Sequence, residues 1–478
     1  MTLPAAVDAV VIGGGPAGAS VGRLLATWGH TVVILDSATP RARGLAESIP
    51  PSTGKLLSEI GVLDDVERAN FVRGRGNTVW WASREARIET FGEQPPSLPA
   101  TSVPALGYQV FRPDFDRVLL DSAAAAGAEV RQSARVRSVA LGSDGATVAY
   151  ESEHRVSGVL AQVVLDCSGR TGVLARRFRR AQPGHRTYAL VGVWERDTWD
   201  VPDDSHTLVE TFDDGWAWSV PISTTTRHVG VMLGQGEDYR AALAKTTELR
   251  RIVDGAALQY DWACDASLYF SEMYGAPQFL LVGDAGSFID PLSSFGVKKA
   301  LASAWLAAVV THTSLTYPER RTAALGLFAD WERNTYIAHL SRSRDFARTA
   351  YAAHASAFWQ SRAEVEVDTP ETPMVDSVGT GVRFDASSPF HLTLADGVRF
   401  EPHPVIRGHE IVLEDAFAGG MRFADHVDLV TLAEIACEHH RVPDLFEAYC
   451  QRCAPVPLPN VVGGLSLLLA RGILHERT

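Results

Sequence analysis

The chain has 478 residues, more than one ordinary domain needs, and with 46% hydrophobic residues it can bury large cores. A net charge of −13 argues against a nucleic-acid protein, whose phosphate contacts demand a basic surface. Five scattered cysteines (Cys167, Cys264, Cys437, Cys450 and Cys453) form no disulfide framework. With "VDAVVIGGG" opening the chain in place of a secretory leader, they suit a reducing cytoplasm. The longest apolar runs, such as "LSLLLA", are too short to span a bilayer.

Val7 to Leu35 reads strand, glycine turn, helix, strand: "DAVVIG" is apolar on both faces, and Gly29 stops the helix. "DFDRVLLDSAAAA", from Asp114 to Ala126, reads as a helix begun by Pro113 and Asp114. Glu129 to Cys167 holds strands with a turn at Asp144-Gly145. Strands recur from Leu190 to Gly234. Phe279 to Val282 is a buried strand, followed by a loop and helices from about Val297 to Arg362. "EVEVDTPETPMVDSVGTG" reads as a linker, and the rest mixes short strands with helices. The fold class expected is α/β: a Rossmann-like domain, argued below to be FAD-binding from its glycine turns, with an inserted β-rich substrate domain and a C-terminal α+β or helical module. The expected boundaries are 1–362 for the Rossmann-like part, with its inserted sheet mainly in 71–110 and 186–278. A linker at 363–380 and a module at 381–478 follow.

Gly13-x-Gly15-x-x-Gly18 follows a strand and opens a helix, and Asp36 ends the next strand. In that context the glycines let the backbone approach a pyrophosphate, the helix N-terminus supplies N–H donors, and Asp36 takes the ribose hydroxyls. A second turn, Gly283-Asp284, follows the buried strand at 279–282. Asp284 suits a ribityl hydroxyl, and the helix starting near Gly296 points N–H groups at what sits above it. The two turns together select FAD over NAD.

Several further stretches carry a resemblance to a known family. These are "GLAESIPPSTGKLLSEIGVL", "VFRPDFDRVLL", "LDCSGRTG", "GWAWSVP" and "FIDPLSSFG". Together with the two turns they resemble FAD-dependent enzymes of the flavin monooxygenase superfamily, and most closely the flavin-dependent halogenases. The resemblance covers roughly the first three-quarters of the chain. It implies Asp284 at the flavin ribityl chain, Arg112 near the cofactor, Pro291, Gly296 and Val297 in the loop and helix start beside it, and a halide held by the amides of Phe295 and Gly296. Trp216 and Trp218 alternate on a strand, so their indoles share one face. They either pack a sheet or wall a substrate off from the flavin.

In halogenases the reduced flavin activates oxygen, and a lysine holds the hypohalous acid formed. That lysine lies in a stretch resembling G-F-x-x-K-x-G. Matching Phe71 and Gly76 to this frame puts Gly74 in its place, between Arg73 and Arg75. Arginine stays protonated and cannot form a haloamine. Arg73 and Arg75 are surface residues of a Gly-rich loop or a grip for a substrate carboxylate or phosphate. Lys55 sits one segment away, and Lys298 and Lys299 read as helix-surface residues. His206, His228 and His391 are titratable candidates that read as structural or exposed. Cys437, Cys450 and Cys453 read as helix cysteines, not metal ligands.

The expected function is an FAD-dependent oxidation of a small aromatic or amino-acid-derived metabolite, in natural-product biosynthesis, without halogenation. Hydroxylation, heteroatom oxidation and desaturation all fit. Two other readings stay open: a halogenase with a relocated lysine, and a non-catalytic flavin-binding protein. A separate flavin reductase and a carrier-bound substrate are implied by the resemblance. Nucleic acid and membrane are not expected partners.

Overall fold

The computed structural model describes residues 6–37, 44–91, 106–367 and 389–476. The chain divides into two compact units, 1–368 and 369–478.

At the centre of the first unit lies the strand Ala6–Ile12, paired in parallel with Arg155–Asp166 on one side and Val32–Leu35 on the other. Glu129–Arg131 and Phe279–Leu281 extend the parallel sheet outward. Val10, Ile12, Val33, Leu35, Val164 and Leu281 are buried in its core, which is why these strands read as unbroken apolar runs. The helices Pro16–Thr27 and Gly296–Thr316 follow the two glycine turns. Arg112–Ala125 begins two residues before the expected start, with Pro113 in its first turn.

The second sheet has seven strands, in the order Ala257–Asp265, Tyr188–Glu195, Thr226–Leu233, Gly215–Pro221, Thr207–Phe212, Gly76–Trp80 and Arg87–Thr90. Its two faces diverge by simple alternation. Leu190, Leu208, Ala217, Val229, Val231 and Leu233 pack against Tyr239, Leu243, Leu249 and Ile252. The opposite face carries Ala189, Val209, Trp216, Trp218 and Met232. Two residues let aromatic rings lie flat on this sheet: a Cβ at Gly230 would stand 2.0 Å from the Trp218 ring, and one at Gly192 would stand 2.4 Å from Tyr239.

The helices expected to run to Arg362 are three: Gly296–Thr316, the 33-residue Arg321–Ala353, and Ala357–Ala363. Residue 363 therefore ends a helix, and 368–380 of the expected linker and 381–388 of the expected module lie outside the described residues. The second unit pairs short strands, including the hairpin Phe400–Arg407 with Glu410–Phe417, with the helices Leu429–Glu438, Val442–Arg452 and Leu458–Ala470 around their own apolar core. No described helix is long and apolar enough to cross a membrane.

Asp166, fully buried at the end of its strand, holds the following turn. It accepts from the amides of Leu174 (2.7 Å), Ala175 (2.9 Å) and Ser168 (3.1 Å) and from the Ser168 hydroxyl (2.5 Å). Asp166→Ala leaves buried donors unpaired and is expected to cost about 3 kcal/mol. Urea unfolding should show a lower midpoint at unchanged m-value.

Candidate active site

A cavity of about 1470 Å³ opens where the two sheets face each other. One end is built by the glycine turns. Gly13 has φ +100, its amide donates to the Leu35 carbonyl (2.8 Å), and a Cβ there would stand 2.6 Å from the Cys167 carbonyl oxygen. A Cβ at Gly14 would meet the Asp36 side chain at 3.1 Å. Gly13, Gly14, Gly15, Pro16 and Asp36 all line the cavity. Gly18 does not: a Cβ there would overlap the Gly13 carbonyl at 1.8 Å, so its smallness seats the helix on the turn.

Asp284, Pro291, Gly296 and Val297 line the same cavity from the second turn. The Asp284 side chain is 29% exposed at the cavity wall, while its Oδ1 is shielded from solvent, makes no hydrogen bond and stands 4.0 Å from the Lys299 ammonium. Burial raises its pKa, opposed by Lys299, Arg112, Arg170 and Arg179. Arg112 lines the wall in a three-way ion pair. Its guanidinium donates to Glu47 (2.5 Å) and to both oxygens of Asp116 (2.9 and 3.1 Å). Burial works against its charge, but Asp116 and Glu47 more than offset it and hold the group protonated above its ordinary pKa. A glycine cradle, a carboxylate open to the cavity on one side and a fixed cation fit a long phosphate-bearing cofactor with a hydroxylated chain.

The other end is aromatic. Trp216 and Trp218, with ring centroids 5.4 Å apart, line it with Val209, Val220, Met232 and Trp262. Met232 and Trp262 went unnoticed in the sequence because they come from other strands; strand pairing alone puts them on this face. Thr207 adds a hydroxyl, which accepts from Gln109 Nε2 (3.1 Å).

The structure places the remaining candidates elsewhere. Arg73 pairs with Glu67 (2.6 Å) and lies over the Tyr108 ring, 4.4 Å from its centroid. Arg75 is exposed, its amide donating to Ser205 (3.3 Å). Neither lines the cavity, nor does the Phe295 side chain, whose ring packs on His339 (5.5 Å). Trp80 is buried in the core behind the sheet, and Trp81 donates to the Phe346 carbonyl (3.2 Å). His206 is buried against Thr78 (3.0 Å), and exposed His391 lies tilted against His440, ring centroids 4.2 Å apart.

The chain has four lysines, and none is among the lining residues. Lys55 is exposed, and Lys245 pairs with Glu237 (2.6 Å). Lys298 donates to Ser52 (2.9 Å), and burial lowers its pKa. Lys299 corrects the sequence expectation. It is a buried residue, not a surface one, because its helix is covered on more than one side.

A cavity of this size, with nucleotide-type turns at one end and an aromatic chamber at the other, is the architecture of an FAD-dependent enzyme. A family model described as an FAD binding domain matches residues 6–304: the chain belongs to that family, and FAD is its cofactor. It is a halogenase-like flavoenzyme. It is 29% identical over 336 residues to the 1H-pyrrole-2-carbonyl-[peptidyl-carrier protein] chlorinase of Pseudomonas fluorescens, covering 63% of this chain and 74% of that one. The crystal structure of CmlS, a flavin-dependent halogenase, superposes with a TM-score of 0.77 at 22% identity, over 100% of this chain and 96% of that one. QhpG, a peptidyl tryptophan dihydroxylase, superposes with a TM-score of 0.68 at 22% identity, over 98% and 100% respectively.

Gly18→Ala, whose Cβ would force the helix off the Gly13 carbonyl, is expected to melt lower than wild type and to retain little flavin, read from thermal unfolding and the ratio of visible to ultraviolet absorbance. A second test concerns His228, buried beneath the cavity wall. Its Nδ1 accepts from the Ala46 amide (3.2 Å), so its proton sits on Nε2, and it steadies the strand that carries Glu47. Burial lowers its pKa to about 4 from 6.5. The unfolded chain therefore takes up this proton first: the stabilisation is complete above pH 6.5 and is lost as pH falls towards 4, by about 3 kcal/mol. His228→Gln, which keeps a neutral acceptor, should flatten the urea-unfolding free energy across that window.

Proposed function

We propose that this enzyme oxidises a small aromatic or amino-acid-derived metabolite by hydroxylation, heteroatom oxidation or desaturation, without adding a halogen. The observation that carries this reading is the absence of a lysine from the cavity lining among the described residues. Gly74, matched to the lysine position, is buried on the short strand Val72–Gly74. A Cβ there would stand 2.9 Å from Gln109 Nε2, and that amide already donates to the Ser205 carbonyl (3.0 Å) and Thr207. Gln109 fills the space through which an amine would have to pass.

Bound FAD supplies oxygen activation or hydride acceptance. The chain's own side chains do the rest. Gly13–Pro16, Asp36, Arg112 and Asp284 would hold the cofactor. The start of the helix at Gly296 would favour negative charge on the ring system nearby. Trp216, Trp218 and Trp262 would exclude water and stack a planar substrate. Thr207, held by Gln109, offers that substrate a hydroxyl contact. That QhpG has the same fold supports the view that such a scaffold serves hydroxylation as well as halogenation. The chlorinase's carrier-bound substrate supports a carrier-linked acyl group among those to be tried, and a separate reductase would supply electrons.

A second reading, halogenation, is favoured by the names of the relatives, with Lys298 the lysine whose burial most favours a free amine. The enzyme, a flavin reductase and bromide or chloride should be incubated with free and carrier-linked aromatic acids and amino acids, and the products weighed. The expected products gain oxygen or lose two hydrogens. A halogen isotope doublet, lost in Lys298→Met, would establish the second reading instead.

A further inference from the structure

Behind the Gly283-Asp284 turn lies a closed set of charges that the oxidation itself does not use. The Lys299 side chain is 1% exposed and that of Glu332 is fully buried. The Lys299 ammonium donates to two backbone carbonyls of the turn, Gly283 (2.8 Å) and Ser287 (2.5 Å). It stands 4.0 Å from Asp284 Oδ1 and 4.0 Å from Glu332 Oε2. Ser303 closes the ring: its hydroxyl accepts from the Gly283 amide (2.8 Å) and donates to Glu332. Gly283 is thus held at both its N–H and its C=O, by side chains of the helix Gly296–Thr316 that Glu332, on Arg321–Ala353, backs.

We infer that Lys299 is a positioning residue for the flavin site: tied to Glu332 and Ser303, it clamps the 283–287 turn and so fixes where Asp284 meets the cofactor. Two features separate this from a generic buried ion pair. The ammonium's hydrogen bonds go to backbone carbonyls of the cofactor turn, while both carboxylates stand at 4.0 Å. Gly283 also has φ +63, a conformation that its neighbours must hold in place. A buried lysine serving two carboxylates compensates one charge, and the remaining negative charge faces a wall containing Arg112 and Arg170. The inference does not depend on which oxidation the enzyme performs, because its readout is cofactor binding.

The test compares wild type, Lys299→Met, the charge-neutral Lys299→Met/Glu332→Gln pair, and Ser303→Ala in the full-length chain. Each is stripped of flavin and titrated with FAD by fluorescence quenching. Apoprotein melting and the visible circular dichroism of bound flavin are recorded alongside. Lys299→Met should melt lower and bind FAD about tenfold more weakly, ~1.4 kcal/mol. The neutral pair should recover most of the melting temperature but not the affinity, and its visible dichroism should differ from wild type. Ser303→Ala, which alters no charge, should weaken FAD in the same sense and decides the matter if the lysine variants do not fold. Wild-type affinity and dichroism in the neutral pair, or in Ser303→Ala where it alone folds, would reduce Lys299 to a counter-charge for Glu332 and overturn the inference.

Discussion

The helix Pro16–Thr27 can sit on its sheet only because Gly18 has no side chain: a Cβ there would stand 1.8 Å from the Gly13 carbonyl. That contact draws the helix N-terminus against the ends of the parallel strands. Gly13, at φ +100, completes the turn by passing next to the Cys167 carbonyl. The glycine-turn end of the cavity, the placement of Asp36 and the approach of the second turn all follow from this close packing of backbone on backbone.

The aromatic end obeys a different constraint, the two-residue period of strands. One face of the seven-stranded sheet packs aliphatic and aromatic residues into a closed core against short helices; the other presents Trp216, Trp218 and Trp262 to the cavity. Gly230 lets the Trp218 ring lie over the neighbouring strand, which fixes the indole at the wall. A rigid aromatic wall on one sheet and a phosphate-type cradle on the other make one chamber with two chemistries.

Several charged groups in and behind the walls of this chamber are fixed by specific partners. Arg112 is held by Glu47 and Asp116, Asp166 by amides, Lys299 by carbonyls. Asp284 has two sides: its Oδ1 is shielded from solvent 4.0 Å from the Lys299 ammonium, and the rest of its side chain, 29% exposed, lines the cavity. A carboxylate desolvated on one side gains from a donor on the other.

Much of this was legible in the sequence. Strand–turn–helix spacing announced both glycine turns, and alternation put Trp216 and Trp218 on one face, because both patterns are local. The Arg112–Asp116 pair lay in reach too, four residues apart on one helix. Other features depended on packing between segments far apart in the chain. Lys299 read as a surface residue, because a helix buried on more than one side gives no stripe by which to tell its exposed face. Met232 and Trp262 join the aromatic wall only through strand pairing, and Gln109 closes the space beside Gly74 from a strand 35 residues later. The amino-acid order determined by itself which backbone could approach a cofactor, since glycine and strand–helix spacing act within one short unit. Which side chains fill the far end of the chamber, and which charges are sealed behind it, was decided only when distant strands and helices packed, because those contacts join residues that no local period connects.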